Sequence, residues 1–196
     1  MIIGLTGGIA AGKNESAKYF IESFGAYNID ADEISHEITK KGMPSLNELV
    51  ESLGRSILYP DGGLDRKKLA GIIFSDKKIK LRVEKILHAY IISRINEIIS
   101  RYRDENMILV NAPLLFEAGM DRICDKTVVV WVPYYVQLKR LVTRDKLNVR
   151  QAKERIDSQM PVSKKLELAD FVIDNSGSKE DLKRNIKNLY KLLTSG

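Results

Sequence analysis

The sequence predicts a three-layer α/β fold, and three features indicate it. Short apolar runs rich in β-branched residues recur along the 196-residue chain, unbroken rather than alternating, as in parallel strands buried on both faces. Segments with helical spacing of apolar residues separate these runs, as βαβ units require. The chain also opens with an apolar run, a glycine turn and a helical pattern. Its length favours one domain, residues 1–196, with an inserted subdomain.

Five strands are predicted, and helical segments lie between them. The strands are Met1–Thr6, Gly25–Ile29, Met107–Asn111, Thr127–Val132 and Phe171–Ile173. Residues 33–104 show no convincing strand and end in a helical pattern over residues 76–103, longer than a simple crossover requires. We interpret residues 33–104 as a helical insertion that covers a substrate. A second segment, residues 140–165, is rich in lysine and arginine and lies between the last two strands.

Composition excludes several classes of protein. Apolar residues make up 44% of the chain, which is enough for a sizeable core and argues against disorder. Cys124 is the only cysteine, so no internal disulfide can form, as is typical of a reducing cytoplasm. No apolar run approaches a membrane span, and the first residues do not resemble a signal peptide. We expect a cytoplasmic protein that binds no membrane.

The net charge of +6 has two interpretations, a nucleic-acid surface or sites for small polyanions such as nucleotides. The basic residues do not form one block, because acidic residues interrupt each basic run. Solvated helix faces explain most of these charges. Aromatic residues do not stud a basic patch, and no nucleic-acid motif is present, so no nucleic-acid partner is predicted.

The stretch "GGIAAGKN" predicts a phosphate-binding loop. Glycines at positions 7 and 12, followed by Lys13, let successive backbone N–H groups point at phosphate oxygens. The helix that begins beside Gly12 adds its positive end, and Lys13 would reach the β- and γ-phosphates. The alternative is a glycine-rich turn without function, which the preceding strand and following helix disfavour. The residues predicted to bind ATP here are Gly8, Ile9, Ala10, Ala11, Gly12, Lys13, Asn14 and Glu15.

Asn14 stands where such loops carry Ser or Thr, whose hydroxyl binds Mg²⁺. An Asn amide oxygen is also a hard ligand, but the side chain is longer and branched. Ser16 is two positions on, about 200° around the helix, and cannot substitute for it. We therefore predict that ATP binding is kept, that Asn14 is the candidate metal ligand, and that the metal geometry is altered.

Carboxylates follow the second predicted strand at Asp30 and Asp32. The carboxyl ends of parallel strands are where ligands gather, so this pair could activate a hydroxyl and orient metal-bound water. The alternative is that one of them caps the next helix. After the third strand, Asn111 occupies a position that is often acidic, and Glu117 is interpreted as a surface helix residue.

Arg140 and Arg144 are spaced i, i+4 on one predicted helix face. Arginines placed over a phosphate chain would neutralise charge on the transferred group. The alternative is a solvated basic helix paired with Asp145 and Glu154. Cys124 is interpreted as a core residue, and His88 as a buried or capping histidine of the long helix, with no pattern that predicts a histidine–cysteine metal site.

Taken together, the motifs resemble the dephospho-CoA kinase family over nearly the whole chain. They are "IGLTGGIAAGK", "IDADEISHEI", "GGLDRKKLAGIIF", "VEKILH", "PLLFEAG", "QLKRLVTRD", "RIDSQM" and "ADFVIDNSGS", in the family's order and spacing. The resemblance implies a P-loop kinase of the nucleoside-monophosphate-kinase type. Such a kinase has a five-stranded parallel sheet, a helical CoA-binding insertion and a lid at residues 140–165. It implies ATP and dephospho-CoA as substrates and Mg²⁺ as cofactor.

The resemblance also implies roles for single residues. Asp32 would be the general base at the ribose 3′-hydroxyl, while Lys13, Arg140 and Arg144 would steady the phosphates. Asn175, in "IDNSG", would lie near the adenine of ATP. The remaining implied substrate-binding residues are Asp30, His88, Pro113 and Leu114.

The sequence departs from the family pattern at several of these motifs. Asn14 replaces Ser or Thr, Asn111 replaces Asp, and Ala89 follows His88 in place of Pro. Ala10 stands where glycine is usual. Two alternatives remain open on the sequence: a related small-molecule kinase of the nucleoside-monophosphate or shikimate type, and a nucleotide-binding protein that has lost catalysis.

Overall fold

A computed structural model describes residues 1–195 of the chain. Its helices and strands fall into two compact units, which we treat separately. The core unit comprises residues 1–29 and the chain from residue 102 onward, and the helical unit comprises residues 30–101.

The predicted five-stranded parallel sheet is confirmed. The strand order is β2-β3-β1-β4-β5, with β1 paired in parallel to β3 and β4, and β4 to β5. The strands are β1 (Ile2–Gly7), β2 (Tyr27–Asp30), β3 (Ile108–Asn111), β4 (Lys126–Trp131) and β5 (Phe171–Asp174). All four residues of β3 are buried, as the unbroken apolar runs predict for a covered sheet.

Each strand boundary lies within two residues of its predicted position, and two of the differences have a clear local reason. The first strand extends to Gly7 because that residue still pairs with Val130 of β4. The second strand begins at Tyr27 rather than Gly25 because Gly25 ends the preceding helix in the left-handed conformation, with φ 65°.

Helices of the core unit cover the sheet. An apolar cluster joins Ala17 and Phe20 of the first helix, Leu182 and Ile186 of the last helix, and Leu109 of strand β3. The helices are α1 (Lys13–Phe24), α6 (Tyr134–Asp145), α7 (Val149–Asp157), α8 (Val162–Leu168) and α9 (Lys179–Thr194), with a 3-10 turn at Met120–Ile123. This packing fixes the end of β1 and the start of α1, where the predicted phosphate loop lies.

The helical unit has its own small core around Leu49, Ile57, Leu69 and Val83. Within residues 30–101 no strand forms, and only an isolated antiparallel bridge joins Leu58 to Leu64. The helices are α2 (Ala31–Ile38), α3 (Pro44–Leu53), α4 (Arg66–Ser75) and α5 (Lys77–Arg101), with a 3-10 turn at Arg55–Ile57. The long predicted helix is therefore α5, which is 25 residues long.

Candidate functional site

The predicted phosphate loop runs from Gly7, where β1 ends, to Lys13, where α1 begins. A Cβ on Gly7 would lie 2.7 Å from the Val130 carbonyl oxygen, and one on Gly12 would lie 2.1 Å from Asn175 Nδ2. Gly12 also has φ 95°, which favours glycine. The Ala11 N–H donates to the Gly8 carbonyl at 3.0 Å and closes the turn. Both motif glycines therefore have a steric reason to be glycine.

Ala10 adopts a left-handed backbone, with φ 61°, inside this loop. The left-handed region costs an L-residue about 1–2 kcal/mol, whereas glycine enters it without that cost. Glycine would also make the unfolded chain about 0.4–1 kcal/mol more favourable in entropy. We therefore expect Ala10→Gly to raise the free energy of unfolding by about 0.5–1 kcal/mol, measured by chemical denaturation. Ala89→Gly, at an exposed site in α5, is the matched control and should lower it by about 1 kcal/mol.

Lys13 lies between the two asparagines that depart from the family pattern. Its Nζ donates to Asn111 Oδ1 at the carboxyl end of β3 and, at 3.2 Å, to Asn14 Oδ1. Asn111 is 2% exposed, and Asn14 is exposed in the first turn of α1. The two substitutions therefore meet at one ammonium group, which the sequence does not reveal because residues 14 and 111 are far apart in the chain.

Asn175 ties the loop to the end of β5. Its Nδ2 donates to the Ala11 carbonyl at 2.7 Å, and its own backbone carbonyl accepts from Arg140 Nη2 at 3.0 Å. Arg140 Nη1 lies 3.5 Å from the same Ala11 carbonyl, which is the limit of a weak hydrogen bond. Asn175 and Arg140 thus hold the backbone of the loop at the Ala11 carbonyl.

A cavity of about 780 Å³ opens beside these residues in the core unit. Its lining includes six of the residues predicted to bind ATP or phosphate: Ala10, Gly12, Glu15, Arg140, Arg144 and Asn175. Its volume lies in the range of small-molecule and cofactor sites. The structure therefore gathers residues from both ends of the sequence around one space, while their contact with ATP stays a prediction.

The basic helix α6 divides its two predicted arginines between different partners. Arg140 turns toward the loop, whereas Arg144 is exposed and forms a two-pronged ion pair with Asp145 at 2.7 and 3.2 Å. Arg155 reaches the same carboxylate at 2.8 Å. The hydrogen bond from Arg144 is the main reason that the pKa of Asp145 lies below its usual range. Glu154, the other predicted acidic partner, pairs with Arg150 at 2.9 Å.

In the helical unit, Asp30 is the N-cap of α2. Its carboxylate accepts from the Asp32 N–H at 2.9 Å and the Glu33 N–H at 3.3 Å. Asp32 itself lies in the first turn of the helix, beside its positive end. Because Asp30 is the N-cap, the Asp32 carboxylate is not needed for capping. His88 lies half-buried in α5, as predicted.

The segment after β3 carries a buried ionic contact that the sequence analysis missed. Lys165 of α8 is fully buried, although it ends the lysine- and arginine-rich segment 140–165. Its Nζ donates to the Pro113 carbonyl at 2.6 Å and pairs with Glu117 Oε1 at 2.9 Å. Glu117 lies in a turn with its carboxylate directed inward, so the interpretation of Glu117 as a surface helix residue is wrong. Leu114, also predicted to contact substrate, lies half-buried in this turn.

Two other polar groups bear on the chemistry of the core unit. Gln137 of α6 is 4% exposed, and a Cβ on Gly8 would lie 2.5 Å from its Nε2, so Gln137 packs against the loop. Burial raises the pKa of the Cys124 thiol to about 12, so a neutral thiol at position 124 is not a nucleophile at physiological pH.

The two neutral amide oxygens beside Lys13 are suitable ligands for a divalent ion such as Mg²⁺. Asn14 Oδ1 and Asn111 Oδ1 are hard amide oxygens, which suit Mg²⁺, and both already lie at the Lys13 ammonium. Over residues 1–195 no group of three or more His, Cys, Asp or Glu side chains is placed to hold a metal. Such an ion would therefore take its other ligands from phosphate and water, as Mg²⁺ commonly does at kinase sites.

Known proteins are similar to this chain over almost its whole length. The family model described as dephospho-CoA kinase matches residues 1–181. The chain is similar to a dephospho-CoA kinase of Fusobacterium nucleatum, with 40% identity over 98% of each chain. It is also similar to the solved dephospho-CoA kinase of Campylobacter jejuni, with 31% identity, a TM-score of 0.73, and coverage of 100% of this chain and 98% of that one.

A more distant comparison shows the fold alone. The shikimate kinase of Acinetobacter baumannii, solved with shikimate, aligns with a TM-score of 0.56 at 19% identity, over 99% of this chain and 93% of that one. None of the helices in the described part of the chain is long and apolar enough to span a bilayer.

Proposed function

The chain belongs to the dephospho-CoA kinase family and is an ATP-dependent phosphotransferase, and we propose that it phosphorylates the ribose 3′-hydroxyl of dephospho-CoA. The reaction is the final step of coenzyme A biosynthesis. The observation that carries the proposal is the loop that ends in Lys13, bordered by Arg140 and Asn175 beside a cavity of about 780 Å³. ATP and dephospho-CoA are the proposed substrates.

In the proposed reaction, Asp32 accepts the proton of the 3′-hydroxyl while that oxygen attacks the γ-phosphorus of ATP. The bond between the γ-phosphorus and the β–γ bridging oxygen breaks, and ADP leaves. Lys13 and Arg140 offset the negative charge that spreads over the transferred group and the leaving oxygen. Arg144 is proposed to support the phosphates once ATP competes with Asp145 for its guanidinium.

Binding of ATP is proposed to involve the whole loop. The backbone N–H groups from Gly8 to Asn14 are proposed to face the phosphates, except that of Ala11, which donates to the Gly8 carbonyl. Glu15 borders the same cavity, and Asn175 is proposed to lie near the adenine. For dephospho-CoA, the proposed contacts are Asp30, His88, Pro113 and Leu114. Residues 33–104 are proposed as the CoA-binding insertion and residues 140–165 as the lid. The cytoplasmic location stays a prediction.

Mg²⁺ is the proposed cofactor, held by Asn14 Oδ1 with Asn111 as a further neutral oxygen. When bound, it would supply positive charge that offsets the negative charge of the phosphates. Both protein ligands are neutral amides, whereas the family pattern has a neutral hydroxyl at the first position and a charged carboxylate at the second. The ion is therefore proposed to bind more weakly in this protein than at a site with an aspartate.

Asn14→Ser is expected to lower the Mg²⁺ concentration needed for half-maximal rate, or to raise turnover. The reason is that a compact hydroxyl ligand replaces a longer amide, while the backbone amides and Lys13, which supply most phosphate contacts, are unchanged. The measurement is a Mg²⁺ titration of turnover, with ATP affinity in the absence of metal measured by calorimetry and expected to change little.

The matched control for this titration is Asn188→Ser, at an exposed position of α9. It should leave both quantities at their wild-type values. A fall in activity with Asn14→Ser would instead show that Asn14 is a working ligand adapted to this site, and the weakened-metal proposal would be wrong.

A panel of acceptors tests the proposed substrate. The purified protein is assayed for ADP formation with dephospho-CoA, shikimate and nucleoside monophosphates, each at equal concentration and with ATP and Mg²⁺. ADP release that depends on dephospho-CoA supports the proposal. Equal or faster release with shikimate or a nucleoside monophosphate would favour the related small-molecule kinase instead.

A further inference from the structure

Lys165 is a buried cation that phosphate binding does not use. Its side chain is 0% exposed, yet lysine is almost never fully buried unless it is paired. Its ammonium has a carbonyl partner, Pro113 at 2.6 Å, and a carboxylate partner, Glu117 at 2.9 Å. A charge removed from water in this way needs a reason beyond packing, because an apolar side chain would fill the same space without the desolvation cost.

The two partners of Lys165 also accept hydrogen bonds from other parts of the chain. Glu117 Oε1 accepts the Met160 N–H at 3.2 Å, so both ends of the segment from Met160 to Lys165 attach to one carboxylate oxygen. The Pro113 carbonyl accepts Thr6 Oγ1 at 3.2 Å, and Thr6 is fully buried next to the glycine that begins the phosphate loop. The pair therefore joins β1, the turn after β3, and α8.

Pro113, a partner of Lys165, lies two positions after Asn111, which contacts Lys13. Pro113 follows Ala112, whose N–H donates to the Leu5 carbonyl at 3.0 Å, and Ala112 follows Asn111. Asn111 Oδ1 in turn accepts from Lys13 Nζ. Whatever fixes the Pro113 carbonyl therefore also fixes the carboxyl end of β3 and the amide against which Lys13 rests.

We propose that Lys165 and Glu117 are positioning residues, which together hold the turn after β3 so that Asn111 and Lys13 keep their alignment for phosphoryl transfer. Ammonium geometry suits this task because one Nζ can donate at once to the Pro113 carbonyl and to Glu117. An apolar pair would fill the same volume but leave the Pro113 carbonyl with the longer hydrogen bond from Thr6 Oγ1 and without the shorter one from Lys165. The inference rests on the proposed function, since it concerns the same transfer step.

The test separates alignment from stability with the double variant Glu117→Leu/Lys165→Met. Lys165→Met alone leaves a buried carboxylate unpaired, so both the unfolding midpoint and kcat should fall. The double variant leaves no unpaired charge, so its unfolding midpoint should return close to the wild-type value. We expect its kcat to stay about 10²-fold low, the size of loss that a misplacement of about 1 Å produces, with a smaller change in the KM for ATP.

Lys164→Met is the matched control, because Lys164 is the exposed neighbour of Lys165 on the same helix, and kcat and unfolding midpoint should both stay unchanged. Recovery of both stability and kcat in the double variant would overturn the proposal and make the pair purely structural. The wild-type protein, assayed in parallel, reports on the proposed function separately, since its failure to phosphorylate dephospho-CoA would remove the reaction rather than the pair.

Glu117→Gln provides a second test if the double variant does not fold. Glutamine keeps an oxygen in the place of Oε1, so it can still accept from Lys165 and from the Met160 N–H. The buried ammonium then lacks a counter-charge, so the unfolding midpoint should fall, and turnover is measured well below that midpoint. Turnover close to wild type in Glu117→Gln, beside a large loss in Lys165→Met, supports positioning. A loss in Glu117→Gln as large as that in Lys165→Met would overturn it, because the charge rather than the geometry would then be required.

Discussion

Lys13→Ala is expected to lower kcat by about 10²–10³-fold, the loss found when one preorganised donor is removed from a charge-stabilising site. Lys13 begins α1, and its ammonium is held by Asn111 and Asn14. On the proposed function, this ammonium is therefore positioned before the phosphates bind. The helix begins within the loop backbone and packs through Ala17 and Phe20, neither of which depends on Lys13. The fold should therefore survive, as judged by circular dichroism and the unfolding midpoint.

Lys18→Ala is the matched control for that experiment. Lys18 lies on the same helix but is exposed and pairs with Glu22 at 3.6 Å, a contact of little energetic consequence. Its kcat should equal that of the wild type. Wild-type turnover in a well-folded Lys13→Ala protein would show that the loop does not bind the transferred phosphate.

Asp32→Asn is expected to lower kcat by about 10²–10⁴-fold, the usual contribution of a general base. Asparagine has almost the same shape but cannot accept the hydroxyl proton. Because Asp30 caps α2, the first turn should keep its geometry in the variant. The KM for dephospho-CoA should therefore change much less than kcat, which steady-state kinetics with varied dephospho-CoA will measure.

Glu33→Gln serves as the control, since Glu33 is the neighbouring carboxylate in the same helical turn. It should leave kcat unchanged. If Asp32→Asn raises only the KM and leaves kcat intact, Asp32 binds substrate and is not the base.

Local signals in the sequence were enough to predict the framework of the site. The five strands and the phosphate loop each lie within a short window, where apolar runs and glycines act directly on the backbone. Gly7 and Gly12 were predicted from spacing, and the structure gives each a close neighbour that excludes a side chain. The sequence also predicts, as one of two alternatives, that Asp30 or Asp32 caps the next helix, and in the structure Asp30 is that cap.

Contacts between distant residues were beyond the sequence. Nothing local indicates that Asn175 donates to Ala11, 164 positions away, or that Asn111 accepts from Lys13. The burial of Lys165 has no local signal either, because the exposed Lys164 beside it has the same side chain, and only the structure distinguishes the two. The prediction that Glu117 is a surface helix residue is wrong because the local sequence does not distinguish a turn from the end of a surface helix, nor show that the carboxylate points inward.

Asn14 and Asn111 are a further pair of residues whose proximity only the structure shows. Read separately, Asn14 and Asn111 are two departures from a family pattern. In the structure both amide oxygens face one lysine, so the two substitutions alter a single electrostatic environment and should be tested together. A protein that carries Asn14→Ser and Asn111→Asp should therefore show non-additive changes in its Mg²⁺ requirement.

Phosphorus NMR of the reaction product tests phosphoryl transfer to the 3′-hydroxyl most directly. The protein is incubated with ATP, Mg²⁺ and dephospho-CoA, and the phosphorus spectrum is followed with the Lys13→Ala variant as the inactive reference. The expected result is a new phosphomonoester signal, coupled to the ribose H3′ and equal in amount to the ADP formed. ADP formation with inorganic phosphate and no new phosphomonoester, or a phosphomonoester at another position of the substrate, would contradict the proposed function.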